Sequence, residues 1–443
     1  MKKLGFGIIG LIFIAGIYYL TAGSAQLTSE IKAQVNSELT IIQTQGFSVQ
    51  NREIGEKKEH FVLSFDEPEK IAVFFTKNGA KLSTDDAKAL KGLKIGVDLN
   101  YLPDTYSAVA MDMYPMTLPT AITEAVQNEE DKKILLQIEK MLEKKTLLMH
   151  LAINKLGTGF KGYLKDIDET LQGKENVKMI LSKLKFMGDI KDDKLQGVNQ
   201  TLKEFSMDVQ NKFTMAMHNL TSDYSLTGAT QYDYTTNYSI EKMLVQAENA
   251  LNVQMNDFEL SSDSTVKDSL ANGTFKTNVK NIVIEEKGHK TELDNVAFEM
   301  RADNLDVKAF EKLEQIDVNN EKEVNLVLQQ LISHGIRFEI PTLSVENIEN
   351  AGQKMGGFVL SALFNIDKSF NITAVQNNPL AAINALNATI DLNLSSELFA
   401  QIAQRPEAVM AMMLFQPKDV GGKKVYKIEL KDGKLSVNGK KAM

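Results

Sequence analysis

The sequence predicts an α+β protein that is predominantly β: an elongated antiparallel meander sheet with flanking helices, preceded by one N-terminal transmembrane helix. Three observations predict this fold. Apolar and polar residues alternate over most of residues 146–304, which is typical of half-buried antiparallel strands. Segments on either side show the three- to four-residue apolar spacing of amphipathic helices. A run of 17 almost wholly apolar residues, Leu4 to Leu20, follows two N-terminal lysines.

This apolar run is long enough to cross a bilayer. A transmembrane helix needs roughly 17–25 residues, whereas the apolar part of a secretory signal usually has about 7–15. The next basic residue is Lys32, so we expect the basic end to stay in the cytoplasm and residues 26–443 to be exported. Cleavage after Ala25 is the alternative, because small residues precede that position. The side chains expected in the membrane are Leu4, Phe6, Ile8, Ile9, Leu11, Ile12, Phe13, Ile14, Ile17 and Leu20.

Composition argues against several classes of function. The 443 residues carry 50 Lys and Arg against 58 Asp and Glu and contain no dense basic run, so no nucleic acid partner is expected. The chain has no cysteine, which removes disulfides, thiolate catalysis and a lipidated cysteine anchor. Its five histidines are far apart, and no phosphate-binding loop or Gly-x-Ser-x-Gly motif occurs. We therefore expect no catalytic residue, no metal site and no cofactor.

Residues 1–25 form the cytoplasmic stub and anchor, and residues 26–145 are expected to form an N-terminal α+β region. A helix is predicted over 28–43, because Ile31, Val35, Leu39 and Ile42 recur at helical spacing. Alternation from residue 47 to 100 predicts strands in FSVQNREI, HFVLSF, KIAVFF and LKIGVDLN, with a short helix over 83–90. A long helix is predicted over 120–145, which contains no glycine or proline.

Residues 146–304 are expected to form an antiparallel β-meander of about nine strands. Four positions interrupt the alternation: Asn219, Asp257, Asn281 and Asn295. Asn and Asp tolerate left-handed and bulge geometry, so the element at each position is predicted to be either a strand with a kink or part of a chain of short hairpins. Their spacings of 38, 24 and 14 residues are too irregular for a fixed repeat.

Residues 305–443 are expected to form a C-terminal α+β region ending in a β-hairpin. Two helices are predicted over 306–316 and 321–333, ending at Gly335. Strands follow, among them SFNITAV, and then a helix from Ser395 that is rich in methionine at positions 410, 412 and 413. The turn at Asp432-Gly433 predicts the final hairpin.

The ordering of these segments and the terminal KDGKLSVNGK, residues 431–440, resemble the YdgA-like family of bacterial envelope proteins of unknown function. This resemblance implies a single-pass protein of the bacterial inner membrane with its bulk in the periplasm, and it implies no catalytic residue. The anchored, β-rich body is also similar in architecture to AsmA-like proteins, whose β-grooves are associated with lipid movement; this is an analogy.

The leading hypothesis is a non-enzymatic envelope protein whose sheet forms a scaffold or an apolar groove for a lipid or another apolar ligand. The reason is that the apolar sheet face exceeds the predicted helical cover. Two alternatives remain: an envelope protein-interaction module, which could be a homodimer, and an exported hydrolase with an unrecognised carboxylate site. The residues predicted to line the groove are Phe213, Met215, Met217, Phe275, Val279, Ile282 and Ile284.

Overall fold

The computed structural model describes residues 28–77, 82–191, 194–210, 212–248, 251–313, 316, 320–378, 383–405 and 415–441. It divides into two compact units, Met1–Leu220 and Thr221–Met443, called the N-terminal and C-terminal units below. The predicted membrane span and the methionines at 410, 412 and 413 lie outside the described residues. Within the described ranges, no helix is long and apolar enough to cross a membrane. The anchor and the three-region division of the exported part stay predictions.

The described part of the chain is 57% strand and 21% helix, which confirms a predominantly β, antiparallel fold. Its helices are α1 (Thr28–Thr44), α2 (Pro68–Lys77), α3 (Thr84–Ala89), α4 (Thr120–Glu124), α5 (Glu129–Glu143), α6 (Val307–Leu313), α7 (Glu321–Leu331), α8 (Ile372–Asn377) and α9 (Ser396–Ile402). Its shorter strands are β1 (Phe47–Ile54), β2 (Lys58–Phe65), β3 (Lys94–Tyr101), β4 (Ser107–Thr117), β5 (Met149–Asn154), β6 (Gly159–Leu164), β7 (Ile167–Leu171), β8 (Val177–Ser182) and β9 (Lys185–Lys191). Longer strands follow: β10 (Lys194–Val209), β11 (Phe213–Leu226), β12 (Tyr234–Ala247), β13 (Leu251–Lys267), β14 (Leu270–Glu286), β15 (His289–Asp306), β16 (Ile336–Asn350), β17 (Gln353–Ile366) and β18 (Leu386–Ser395). The last strands are β19 (Lys418–Val420), β20 (Lys423–Lys431), β21 (Lys434–Val437) and β22 (Lys440–Lys441).

In the N-terminal unit the strands pair antiparallel in the order β1–β2–β3–β4–β5–β6–β9–β10. The second part of β10 pairs with β8, and β8 pairs with β7. One face of this sheet is buried beneath helices in a single core. The buried strand residues of that core include Phe61, Leu63, Val97, Leu99, Met111, Met113, Leu151, Ile153, Phe160 and Phe186. The four residues predicted on α1 are all buried against it, which confirms that helix and its inward face.

The segment KIAVFF, predicted as a strand, is the helix α2. Pro68 begins the helix, where its missing N–H is not needed, and Glu69 lies in the first turn. Spacing of three and four residues then puts Ile71, Phe74 and Phe75 on the buried face. The six-residue alternation was a short stretch of this helical pattern, so the strand prediction is wrong.

Side-chain caps explain two further departures from the predicted elements. The long helix predicted over 120–145 is two helices, α4 and α5, because Asn128 accepts from the Asp131 N–H and starts a new helix. The predicted strand SFNITAV contains the helix α8, where Asn371 accepts from the Ala374 N–H. The predicted helix after Ser395 is confirmed as α9, with Ser395 as its cap.

In the C-terminal unit the strands form an antiparallel ladder in the order β12–β13–β14–β15–β16–β17–β18–β20. β19 and β21 both pair with β20, and β22 pairs with β21. The predicted hairpin is confirmed: Lys431 pairs with Lys434, and Asp432 and Gly433 have φ of +49° and +76°. Each strand pairs with its neighbours in sequence over most of the ladder, as the predicted meander requires.

The pairing is interrupted along one line that crosses six strands of this ladder. The interrupted positions, called the kink row, are Glu241, Asp257, Lys280, Asn295, Glu346 and Gly357. Asp257 and Asn295 are left-handed, with φ of +48° and +50°, and so is Asn219 at +50°. Three of the four predicted kinks are thereby confirmed, while Asn281 is not left-handed. The three left-handed residues are spaced 38 residues apart, so the irregularity inferred from the sequence came from including Asn281.

Candidate functional site

One face of the C-terminal unit carries apolar side chains that meet in register from strand to strand. A complete row runs across β12 to β18, and a second row lies beside the kink row. The first row is Tyr238, Leu260, Thr277, Phe298, Leu343, Leu360 and Leu392. The second is Ile240, Phe258, Val279, Val296, Val345, Phe358 and Leu394. These rows and the adjoining Phe275 and Met300 are called the apolar face.

This face is only partly covered. In the row beside the kink row, Ile240, Val279, Val345 and Leu394 are buried, whereas every other apolar member of the two rows is half-buried or exposed. The helices described in this unit pack chiefly against β15 and against β17, β18 and β20. The middle of β13 and β14 therefore presents apolar side chains that can accept a ligand.

The structure separates the seven predicted groove residues into three groups. Phe275 and Val279 lie on the apolar face. Ile282 and Ile284 lie beyond the kink row on β14, where Met255 and Val253 are their partners on β13. Phe213, Met215 and Met217 are half-buried in β11 and belong to the N-terminal unit.

A cluster of polar residues lies directly beyond the kink row. Asn281 of β14 pairs with Asn256 on one side and Asp294 on the other. The residues Gln254, Asn256, Asn281, Lys290, Glu292 and Asp294 form what is called the amide-carboxylate patch. It borders the row that contains Phe258 and Val279.

A directed chain of hydrogen bonds joins this patch. Gln254 Nε2 donates to Asn256 Oδ1 at 3.2 Å, and Asn256 Nδ2 donates to Asn281 Oδ1 at 3.2 Å. Asn281 Nδ2 then donates to Glu292 Oε1 at 2.8 Å and to Asp294 Oδ1 at 2.9 Å. The hydrogen bond from Lys290 to Glu292, followed by that from Asn281, lowers the pKa of the Glu292 carboxyl below its ordinary value. The chain thus ends on two carboxylates held close to one amide.

Sequence reasoning missed this patch. Its residues alternate with Val253, Met255, Ile282 and Leu293, so each strand looked like an ordinary half-buried strand with a solvated polar face. The kink row itself is visible in the sequence, since Met255 and Phe258, or Val279 and Ile282, are separated by three residues instead of two.

The N-terminal unit has its own polar row, on the sheet face opposite the core. His60 Nδ1 lies 2.7 Å from Asp98 Oδ1, and His150 Nδ1 lies 2.7 Å from Asp112 Oδ1. Lys145 Nζ donates to Asp98 Oδ2 at 2.9 Å. Burial acts to raise the pKa of Asp98, but the hydrogen bonds from Lys145 and His60 outweigh it and hold that pKa below the ordinary value. No group of three or more potential metal ligands occurs within the described ranges.

A depression of about 320 Å³ lies in the C-terminal unit and has a mostly polar lining. Asn237, Glu259 and Lys276 line it, together with Tyr238 from the edge of the apolar face. Because most of the residues that line it have polar or charged side chains, the depression suits an apolar ligand less well than the apolar face does. The apolar face is consequently the better candidate for such a ligand.

Comparison with known proteins gives one positive finding. A model of the family described as "Bacterial protein of unknown function (DUF945)" matches residues 117–442. No curated protein and no solved structure gives a significant match. The matched range includes the whole apolar face and the whole amide-carboxylate patch.

Proposed function

The chain belongs to this bacterial family of unknown function, DUF945, and we propose that it is a non-enzymatic envelope protein that binds a lipid or another acyl-bearing ligand on the apolar face. The observation that carries the proposal is the row across seven strands in which every side chain but Thr277 is apolar or aromatic and which stays half-buried or exposed. Exposed apolar surface of this extent usually marks an interaction site.

The dimensions of the face also suit an acyl chain. Neighbouring antiparallel strands are spaced about 4.8 Å apart, so seven strands extend over about 29 Å. A row of Phe, Leu and Val side chains at this spacing offers contact along a whole extended chain. Dispersion and hydrophobic contact need no fixed partner geometry, which fits a surface with few polar groups.

The proposed location follows from the N-terminal segment. We propose that Leu4 to Leu20 anchors the protein in the bacterial inner membrane and that the body lies in the periplasm, as the resemblance to the YdgA-like family implies. The two lysines before the run support this orientation. N-terminal sequencing of the mature protein tests it: an intact N-terminus supports the anchor, and a mature chain that begins at Gln26 overturns it.

Photo-crosslinking in bacterial cells tests the binding function. The photoreactive residue p-benzoylphenylalanine is placed at Phe298 on the apolar face or, as the matched control, at the neighbouring Glu299, which alternation puts on the opposite face. After irradiation, mass spectrometry of the purified chain is expected to show a lipid adduct at position 298 and none at 299.

The result separates lipid binding from the protein-interaction alternative. A protein adduct at position 298 in place of lipid would overturn the lipid proposal and favour an interaction module. Equal lipid labelling at both positions would mean that the adduct reflects general contact with a membrane, and it would also overturn the proposal. Native mass spectrometry of the detergent-purified chain gives a second reading, since a clean ligand-free mass speaks against a retained lipid.

A further inference from the structure

Helix α9 contacts β17 on both sides of the kink row. Three of its side chains pack in one cluster with Phe358 and Leu394, so the helix lies over the apolar face. Beyond the kink row, Gln401 of the same helix donates from Nε2 to Oε1 of Gln353 at 3.4 Å. Pairing with β16 is uninterrupted over this part of β17, so alternation puts Met355 on the same face as Gln353. Met355 is only 5% exposed, as expected for a side chain under this helix.

Gly357 explains how Met355 and Phe358 share a face although they are three residues apart. A Cβ on Gly357 would be directed at the Val345 carbonyl oxygen of the neighbouring strand, so this residue points along the sheet and to neither face. Alternation therefore skips one position at the kink row, and the apolar residues on both sides of it belong to one surface.

Register extends this assignment across the unit, since directly paired residues of an antiparallel ladder share a face. The residues in register with Met355 form what is called the third row. It consists of Met243, Met255, Ile282, Leu293, Ile348 and Met355. All six are apolar, and all except Met355 are half-buried. The surface open to an apolar ligand is thus wider than the two rows described above.

The spacing of the three rows sets the kind of ligand that can cover them. On β13 the rows are represented by Leu260, Phe258 and Met255. At about 3.4 Å per residue, the second row lies about 7 Å from the first, and the third lies about 10 Å beyond the second. Apolar groups touch only within about 4–4.5 Å. One acyl chain laid across the strands between the first two rows therefore does not reach the third, which needs a second chain beside the first.

We propose that the ligand of this sheet is a lipid with two acyl chains, one lying over the first two rows and the other over the third row. This inference rests on the proposed lipid-binding function and adds the class of lipid and the second set of binding residues. The proposed anchor supports it, because an anchored body lies beside a bilayer, whose main lipids carry two acyl chains. Met255 and Ile282, in the middle of the third row, are assigned as binding residues.

Crosslinking in bacterial cells tests the third row. The photoreactive residue is placed at Ile282 or, as the matched control, at Val283, which alternation puts on the opposite face. Phe298 reports on the first row. We expect adducts with the mass of a two-chain lipid at positions 298 and 282 and none at 283.

The outcomes separate this inference from the binding function. Labelling at 298 without labelling at 282, equal labelling at 282 and 283, or adducts with the mass of a single-chain lipid would overturn the two-chain inference while the binding function stands. No labelling at 298 would overturn the binding function itself.

Competition on the purified full chain in detergent gives a second test. Radiolabelled dipalmitoylphosphatidylglycerol is crosslinked at Phe298, and unlabelled dipalmitoyl- or monopalmitoylphosphatidylglycerol competes. We expect the two-chain competitor to act at a concentration at least about tenfold lower. Met255→Ser/Ile282→Ser should abolish that preference, whereas the control Val283→Ser should keep it, and thermal unfolding checks that each variant folds. Equal competition by both lipids on the unaltered chain would overturn the two-chain inference.

Discussion

The two units are built from the same kind of antiparallel strand and differ in the lengths of strand and helix that meet. In the N-terminal unit α1 has 17 residues and spans about 26 Å. β2 has 8 residues and also spans about 26 Å, so helix and strand are equally long. In the C-terminal unit β14 has 17 residues and spans about 56 Å. The longest helix described there, α7, has 11 residues and spans about 16 Å.

This mismatch explains why one unit has a closed core and the other an open face. Phe61 and Ile71 of the N-terminal unit are 0% and 1% exposed. In the C-terminal unit a small cluster around Leu394, Tyr426 and Val437 is buried near α9, and the apolar rows beyond it stay half-exposed. A sheet can thus keep an apolar face available for a ligand simply by having strands longer than the helices beside it.

The largest expected effect is on the closed core. Phe61→Ala removes a fully buried ring and should lower the free energy of unfolding of the N-terminal unit by about 3–5 kcal/mol. Phe298→Ala removes a ring from the half-exposed apolar face and should cost about 1 kcal/mol. Both losses in free energy of unfolding are measured by denaturant unfolding, with hydrogen exchange of peptides from each unit as the readout. Equal losses would contradict the contrast between a closed and an open face.

A second test concerns the kink row of the open unit. A Cβ on Gly357 would overlap the Val345 carbonyl oxygen, which is backbone and cannot move aside, so Gly357→Ala should cost about 1–3 kcal/mol. On Gly273, in the same ladder, the nearest atom to a Cβ would be the Asp263 carbonyl oxygen at 3.3 Å. Gly273→Ala should change stability by less than about 1 kcal/mol. The thermal midpoints of the two variants are compared. An unchanged midpoint for Gly357→Ala would contradict the close contact between position 357 and the Val345 carbonyl oxygen.

Local patterns predicted several elements correctly in both units. The period of α1, the short helix predicted from Ser83, the helix predicted from Ser395 and the Asp432-Gly433 turn depend on a few residues each, and the structure has all of them. Errors came where two local signals competed. In α2 six residues of alternation concealed the helical spacing that follows Pro68, and at Asn128 and Asn371 a polar side chain capped a helix where a continuous element was expected.

The alternation of the sequence predicted apolar strand faces, but it did not predict how these side chains line up across the strands. Phe275 and Val279 lie on the apolar face, whereas Ile282 and Ile284 lie beyond the kink row. On β14 the pairing is interrupted at Lys280, which is not left-handed, opposite the left-handed Asp257 and Asn295 of the two flanking strands. Such an interruption cannot be predicted from the residues of β14 alone.

The kink row therefore allows a smaller and more local test. Asp257 is left-handed, and a β-branched residue tolerates that conformation poorly, so Asp257→Val should cost about 1–2 kcal/mol. Asp257→Gly should be close to neutral, since glycine adopts this conformation freely and the exposed ion pair with Lys280 contributes little. Glu259→Val, on the same strand without positive φ, is the control. The thermal midpoints of unfolding rank the three variants. An unchanged midpoint for Asp257→Val would mean that the fold does not require the left-handed conformation at position 257.

The smallest expected effect is an acid dependence confined to the N-terminal unit. Because the pKa of Asp98 is lowered in the folded state by Lys145 and His60, ionised Asp98 favours folding at any pH above its unfolded pKa, about 3.9. That stabilisation is lost as the pH falls from about 5 through the lowered folded value, since the protonated carboxyl no longer attracts Lys145. Asp98→Asn should flatten the acid limb of the stability curve of this unit and leave that of the C-terminal unit unchanged. Hydrogen exchange between pH 3 and pH 6 reads both units in one sample, and an unaltered slope in the N-terminal unit would show that Asp98 does not carry the acid dependence.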